Sequence, residues 1–409
     1  MSGRSVYEVR DSAEVLGLVR ELLRTRRPMF VATAVSPWHA LGVQGALLEE
    51  IPQWAQAEGI VIIRAHEKGG FLVTPDDFRC MRNSNVTYLL ETGSRTPRPA
   101  GAQLRAFGQV LLATIVSRAR HAKRLPIMLI APLHVDMSIL HLFSEDTIRR
   151  TYRPRIVLTD EGIGSYASTR MWIASRRLND PGAQVSWMAE VRYAGSRLMA
   201  WTAERAQPTE RRALFTRTRK GLVPVEEIAS AYRTAIHASC TPIVCPAEHP
   251  FGMVLTQALS EYGIVSPSVE RLALREVVLA MWKAGCGVIV KPHPEEAVGK
   301  YSGVIAELAA QGPISLADSS QSAEFLYAPW RPDCVVGYGS TGLLTAAALF
   351  SIPALDASEL LRALGGNRGN DQSIRWFRRM AGKMVQPFDT ASLSRVGLSC
   401  ARHEATDGR

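Results

Sequence analysis

Arg155-Ile-Val-Leu-Thr-Asp160-Glu161-Gly162-Ile-Gly164-Ser165-Tyr166 is the stretch on which the fold reading turns. An apolar run, Ile156 to Leu158, stops at two adjacent carboxylates, and glycines follow at 162 and 164. A short buried strand ending in such a turn is how α/β folds deliver acids to a ligand crevice outside the carboxyl end of a sheet. Taken alone, the stretch also suits an acidic surface turn, because Asp and Gly are ordinary turn residues. The surrounding chain decides between the two.

Upstream, residues 11–27 read as a capped amphipathic helix that Pro28 ends. Met29 to Val35 is a compact apolar strand, followed directly by Ser36-Pro37-Trp38-His39 and a helical stretch, Ala40 to Trp54. Further strands are expected at Gly59–Arg64 and Leu125–Ala131, with a helix over 106–122 between them. Strands alternating with helices predict a parallel sheet covered on both faces. The alternation weakens from about 179 to 235, where Asn179-Asp-Pro-Gly182 is a turn signal and Arg205–Lys220 reads as a connection or a solvated helix. A second series begins at Thr241–Cys245, with Pro246 to Gly252 as its loop. It continues through a helix at 268–284, strands at Gly287–Lys291 and Pro313–Leu316, a helical turn at Ala323–Tyr327, a strand at Asp333–Val336 and a helix at Leu343–Phe350. The expectation is two Rossmann-like, doubly wound α/β domains facing a central cleft, the GT-B glycosyltransferase architecture. The boundaries are 1–205 for the N-terminal domain, 206–238 for a linker, 239–390 for the C-terminal domain and 391–409 for a tail.

Composition narrows the class. The 409 residues are 46% hydrophobic and 21% charged, a soluble globular balance with room for more than one core. No apolar run is long enough to span a bilayer, and Met1 to Arg10 lack the apolar centre of a secretory signal. Six cysteines without a CxxC pair or a His at ligand spacing argue against structural zinc and a disulfide framework, and fit a reducing cytoplasm. The net charge is +10, gathered in clusters at Arg24–Arg27, Arg118–Arg124, Arg149–Arg155, Arg211–Lys220 and Arg375–Lys383. Such a balance points to an anionic partner. Nucleic acid is disfavoured, because the aromatic residues (7%) are not interleaved with the basic clusters as stacking platforms would be.

The polar candidates sit where predicted strands end. Gly339-Ser340-Thr341-Gly342 opens a helix, so its free N–H groups and hydroxyls can hold a phosphate, or Ser340 can serve as a plain N-cap. It has neither the Walker lysine nor the GxGxxG spacing. Lys291-Pro292-His293-Pro294 holds a histidine between two prolines in a stiff, extended loop, suited to a phosphate contact or to general-acid work. Asp160-Glu161 supplies a carboxylate that can take a proton from a hydroxyl. Two carboxylates can also bind Mg²⁺, but no DxD pattern occurs, which favours a base over a metal ligand. His249 in Pro246-Ala-Glu-His-Pro250 is a further candidate for nucleotide contact.

An acid-acid-Gly, then a His-Pro, then a Ser-Thr, each at a strand end and in this order, resembles the bacterial sialyltransferases. The polysialyltransferases of capsule synthesis are the nearest likeness, with the lipooligosaccharide sialyltransferases beside them. The matching residues are Asp160-Glu161-Gly162, Lys291-Pro-His293-Pro294 and Ser340-Thr341. Ser36-Pro37-Trp38-His39 is similar to that group's proline-containing loop after the first strand. Glu324 falls where related enzymes place an acid on the nucleotide ribose.

The resemblance implies a metal-independent inverting transferase that uses a CMP-activated sialic acid or related nonulosonate as donor substrate, with no cofactor. By the same resemblance Glu161 is the base, with Asp160 as orienter or alternate. His293 contacts the CMP phosphate and assists its departure. Ser340 and Thr341, with Gly339, Lys291 and Pro294 in the same loops, hold that phosphate. Ser36, Pro37, His39 and Gly162 are candidates for the sugar or acceptor. The Arg clusters suit an anionic glycan or glycolipid acceptor and equally a peripheral contact with the inner membrane face. Two rivals follow: a transferase for another CMP- or UDP-activated sugar such as Kdo, and a non-catalytic anionic-polymer binding protein.

Overall fold

Short runs of aliphatic residues flanked by helix starts fold here into two parallel sheets. The computed structural model describes residues 5–51, 57–65, 72–81, 85–92, 107–110, 124–132, 135–160, 162, 166, 195, 198, 201–202, 205, 207–240, 244–248, 250–318, 321–365, 371–389 and 392–393. The chain divides into two compact units. Met1–Ser165, Val185–Leu214 and Glu226–Ser239 form the first; Tyr166–Gln184, Phe215–Val225 and Cys240–Arg409 form the second.

The first unit is built on a sheet of β1 (Ser5–Val9), β2 (Phe30–Ala34), β3 (Glu58–Arg64), β4 (Asn85–Glu91), β5 (Leu125–Pro132), β6 (Tyr152–Thr159) and β7 (Thr209–Arg212). All pair in parallel, in the order β1-β4-β3-β2-β5-β6-β7. The order reverses between β2 and β5, the switch point outside which doubly wound sheets bind ligands. Six of the seven residues of β3 are buried, as expected of a strand covered on both faces.

The helix Ser12–Thr25 is capped by Asp11, whose side chain accepts from the N–H groups of Ala13 (2.8 Å) and Glu14 (2.9 Å). Its Val15, Val19 and Leu23 recur every four residues and enter the core with Val31, Ile60 and Ile156. The helix Pro37–Glu50 is apolar nearly all round, because the helix Glu226–Ser239 covers the side turned away from the sheet. Gly42 makes that fit possible. A Cβ there would lie 2.9 Å from Tyr232 Oη and 3.0 Å from Thr159.

The second unit holds a hairpin, β8 (Phe215–Thr218) and β9 (Gly221–Pro224), paired antiparallel. Its sheet comprises β10 (Phe251–Leu255), β11 (Gly287–Lys291), β12 (Ile314–Leu316), β13 (Cys334–Gly337), β14 (Ala354–Asp356) and β15 (Val385–Pro387). The order is β12-β11-β10-β13-β14-β15, parallel throughout, with its switch between β10 and β13. Val254, Val288, Val290, Val336 and Leu355 form its core with Leu274, Val277 and Met281 of the helix Pro267–Lys283. Two doubly wound, Rossmann-like units in one chain are the GT-B class.

The structure departs from the sequence reading in several places. The expected strand at Thr241–Cys245 lies partly outside the described residues; its Val244 and Cys245 are not in a strand, and a strand not expected, Phe251–Leu255, pairs into the second sheet. Val244 is 90% exposed, whereas all five residues of β10 are buried. Residues 206–238, read as a linker, hold β7, the hairpin and all but the last residue of the helix Glu226–Ser239. Strands β1, β4, β14 and β15 were not expected. Of the helix expected over 106–122, residues 107–110 are described and are helical.

Candidate active site

Two sets of side chains gather at the carboxyl ends of strands, one in each unit. In the first sheet Pro132 pairs with Thr159, and Thr159 with Arg212, so the ends of β5, β6 and β7 are level. Asp160 follows β6 and is 1% exposed. Its Oδ1 accepts from the Gly162 N–H at 2.6 Å and its Oδ2 from the Leu214 N–H at 3.0 Å. The first bond closes a tight turn in which Gly162 adopts φ +91°, a conformation that favours glycine. The second fastens that turn to the segment after β7. Both oxygens of Asp160 therefore hold backbone. Glu161, expected to share the site, and His249 lie outside the described residues.

Ser36 caps the helix at the switch point, accepting from the His39 N–H at 3.3 Å, and Pro37 occupies the first helical position. The His39 ring is buried, and its Nδ1 accepts from the Val35 N–H at 3.2 Å. Burial pushes its pKa down to about 4, so the ring is neutral with its proton on Nε2. These three candidates are thus occupied in shaping the turn out of β2. Trp38 packs on Tyr232 with ring centroids 4.8 Å apart. Burial, and then the charge of Asp160, raise the Tyr232 phenol well above its ordinary range. Among the described residues, the buried Trp38 Nε1 and Thr159 Oγ1 have no hydrogen-bond partner.

In the second unit Leu255 pairs with both Lys291 and Gly337, and Gly337 with Asp356, which levels the ends of β10, β11, β13 and β14. The His-Pro loop leaves β11 there. The His293 Nδ1 accepts from the Glu295 N–H at 3.2 Å, which places the proton of a neutral ring on Nε2. The His293 N–H itself donates to Glu296 Oε2 at 2.7 Å. Glu296 also accepts from Thr256 Oγ1, Tyr301 Oη (2.6 Å) and Lys300 Nζ (3.0 Å). One buried carboxylate thereby ties the His-Pro loop to the end of β10 and to the next helix. Its neighbours push the Tyr301 phenol up, burial first and the Glu296 charge second.

Lys300 Nζ also lies 2.7 Å from Glu261 and 2.6 Å from Glu270. Among the described residues, Glu261, Glu270 and Glu296 are the one acidic or metal-ligating group with its ligand atoms close enough for an ion, and the Lys300 ammonium occupies its centre.

Lys291, 4% exposed, donates to the Pro292 carbonyl at 2.6 Å. Burial lowers its pKa to about 8, with Glu324, Asp318 and Glu296 opposing the shift. Glu324 is buried in the first turn of the helix Ala323–Trp330, and its Oε1 accepts from Thr345 Oγ1 at 2.8 Å. Its charge reaches Lys291, so the acid and the end of β11 share one region. Gly339 has φ +69° and donates its N–H to Asp356 Oδ1 at 3.1 Å. Ser340 caps the helix Thr341–Phe350 by accepting from the Gly342 N–H at 3.2 Å. The capping reading of Ser340 therefore holds for its hydroxyl, while the helix N-terminus beside it remains an anion-binding position.

The structure groups Lys291, His293, Pro294, Glu324, Gly339, Ser340 and Thr341 at one sheet edge, and Ser36, Pro37, His39, Asp160 and Gly162 at the other. Sequence reasoning missed Glu296, Asp356, Thr256 and Thr345. Glu296 carried a signal, an acid three residues past the rigid histidine. Asp356 carried none until β14 was seen.

The alpha-2,8-polysialyltransferase (POLYST) family matches residues 117–357, more than half of the 409-residue chain. No curated protein matches the chain. Among solved structures it is similar to the UDP-GlcNAc 2-epimerase of Methanocaldococcus jannaschii, at 8% identity over 90% of each chain and a TM-score of 0.44. It is similar to a UGT transferase from Siraitia grosvenorii in complex with UDP, at 9% identity over 92% of each chain and a TM-score of 0.39. A glycosyl transferase family 9 protein from Veillonella parvula DSM 2008 is similar at 11% identity over 80% of each chain, with a TM-score of 0.33. On the extent of the family match, the chain belongs to the alpha-2,8-polysialyltransferase family and is a sialyltransferase-like glycosyltransferase.

Proposed function

We propose that this glycosyltransferase moves sialic acid, or a related nonulosonate, from its CMP-activated donor to an anionic glycan acceptor, with inversion and without a metal, as a cytoplasmic enzyme of capsule or lipopolysaccharide synthesis. The observation that carries the reading is the fixed tautomer of His293. With Nδ1 engaged by the Glu295 N–H, a neutral ring carries its proton on Nε2, the kind of donor a departing phosphate requires.

In this mechanism the acceptor hydroxyl oxygen bonds to the donor's anomeric carbon as the bond from that carbon to the phosphate oxygen breaks. Glu161 takes the hydroxyl proton. Asp160 orients the turn, since both of its oxygens are committed to backbone. The phosphate leaves with the bonding electrons and is stabilised by His293 Nε2–H and the helix N-terminus at Ser340–Thr341. Glu324 holds the ribose.

CMP release from CMP-sialic acid with a sialylated oligosaccharide tests this reading. Wild type releases CMP equally with and without a chelator, and His293→Ala lowers the rate about 10²–10⁴-fold, the range of general acid–base contributions. Release only with a different nucleotide sugar overturns the donor assignment. Full activity in folded His293→Ala overturns the site.

A further inference from the structure

Two basic clusters far apart in sequence meet on one surface of the second unit. The turn of the β8–β9 hairpin exposes Arg217, Arg219 and Lys220. The hairpin rests on the end of the helix Asp371–Ala381, backbone against backbone. A Cβ on Gly221 would lie 2.8 Å from Gly382 Cα, and one on Gly382 would lie 2.4 Å from the Lys220 carbonyl oxygen. Both glycines have positive φ, +124° and +57°. The helix turns Ile374, Phe377 and Met380 inward. Arg375 and Arg379, four residues apart, are exposed on its outer side, and the exposed Lys383 follows Gly382 directly. Lys220 and Lys383 therefore flank the glycine contact.

In the first unit several cations are answered by acids. Arg149 pairs with Asp146 at 2.5 Å, Arg155 with Glu50 and Glu210, and Arg212 with Glu49, Glu50 and Glu210. Among the described residues no acid pairs with Arg217, Arg219, Lys220, Arg379 or Lys383. Holding these cations together by close backbone packing keeps like charges in proximity, which costs free energy until an anionic partner arrives.

We propose that this surface docks the protein on an anionic phospholipid layer. A cluster of four to eight Lys and Arg, part of it here on an amphipathic helix, is what such a layer recognises. A glycan subsite instead calls for a concavity with convergent polar and aromatic groups, whereas this patch is a hairpin turn and a helix end. Val223, on the same hairpin, is 48% exposed and adds an apolar contact. The proposal is independent of donor chemistry, so His293→Ala protein binds as wild type does.

The test is sedimentation of the full chain with phosphatidylcholine vesicles, with and without phosphatidylglycerol, over a salt series. Wild type binds the anionic vesicles alone, and raised salt releases it. The triple variant Arg217→Gln, Arg219→Gln, Lys220→Gln binds more weakly by about fivefold for each cation removed, with Arg379→Gln/Lys383→Gln behaving likewise. A control of equal charge change, Arg150→Gln, Arg153→Gln, Arg271→Gln, removes exposed cations outside the patch and leaves binding intact. Equal loss in the control, equal binding by the patch variants, or binding to neutral vesicles overturns the proposal. So does absence of vesicle binding with retention on an immobilised acidic polysaccharide, which would assign the patch to the glycan.

Discussion

The turn after β6 and the loop after β11 solve one problem in opposite ways. Each follows a strand end and carries a group to which the proposed mechanism gives a role. After β6 the builder precedes the worker: Asp160 accepts two backbone N–H groups, and Glu161 comes next in the chain. After β11 the builder follows: His293 comes first, and Glu296, three residues on, takes its N–H and three side-chain donors. The first turn relies on a glycine to bend, the second on prolines to stiffen. In each, a buried carboxylate is taken up in holding backbone.

The sharpest break in that comparison separates Asp160 from Glu161. Glu161→Gln should lower CMP release about 10²–10⁴-fold with an unchanged melting temperature, the signature of a lost general base. Asp160→Asn should instead destabilise the fold by about 1.5–3 kcal/mol, as one charge-assisted bond to a buried backbone N–H is lost, read by thermal melts. If Asp160→Asn kept its stability and lost all activity while Glu161→Gln stayed active, builder and worker would be exchanged.

Glu296→Gln comes next. The amide cannot accept from four donors, so the His-Pro loop should loosen, with kcat falling about tenfold and KM for the donor rising. A purely structural role would lower the melting temperature and leave kcat per folded molecule unchanged.

The smallest effects are in pH. Folding lowers the pKa of Lys291 from 10.5 to about 8, so the unfolded chain binds more protons between those values and stability should rise with pH across that window. Lys291→Met should abolish that slope in melts. Folding lowers that of His39 from 6.5 to about 4, so stability should fall as pH drops through this range, and His39→Gln should flatten the fall.

The central strands of both sheets were legible in the sequence, because fully buried parallel strands are continuous aliphatic runs: Ile60 to Ile63 and Val288 to Val290 show nothing else. Edge strands were not. Three of the five residues of β1 are exposed, and Thr209-Glu-Arg-Arg212 has no apolar residue at all; β7 is held by pairing with β6 and by Arg212 reaching Glu49 and Glu50. The strand Phe251–Leu255 was missed because an apolar run beside prolines looks the same whether it enters a sheet or precedes one. At the site, residues that terminate a strand within a recognisable motif, such as His293 and Ser340, could be found. Residues whose role is to hold those motifs were harder to find: Glu296 lies beside His293, but its bond to Thr256 spans 40 residues, and Asp356 meets Gly339 across 17.

The way the chain is threaded through its units limits how it can be dissected. Leu214, whose N–H completes the hold on Asp160, is made 54 residues after it, beyond Tyr166 of the other unit. The helix Glu226–Ser239, which covers Gly42 and Gly45, is made only after the β8–β9 hairpin of that unit. No single cut therefore releases an intact half. A nascent chain carries an unfinished acidic turn until both returning segments have emerged, and domain exchange with a relative would require several junctions where most two-domain proteins need one.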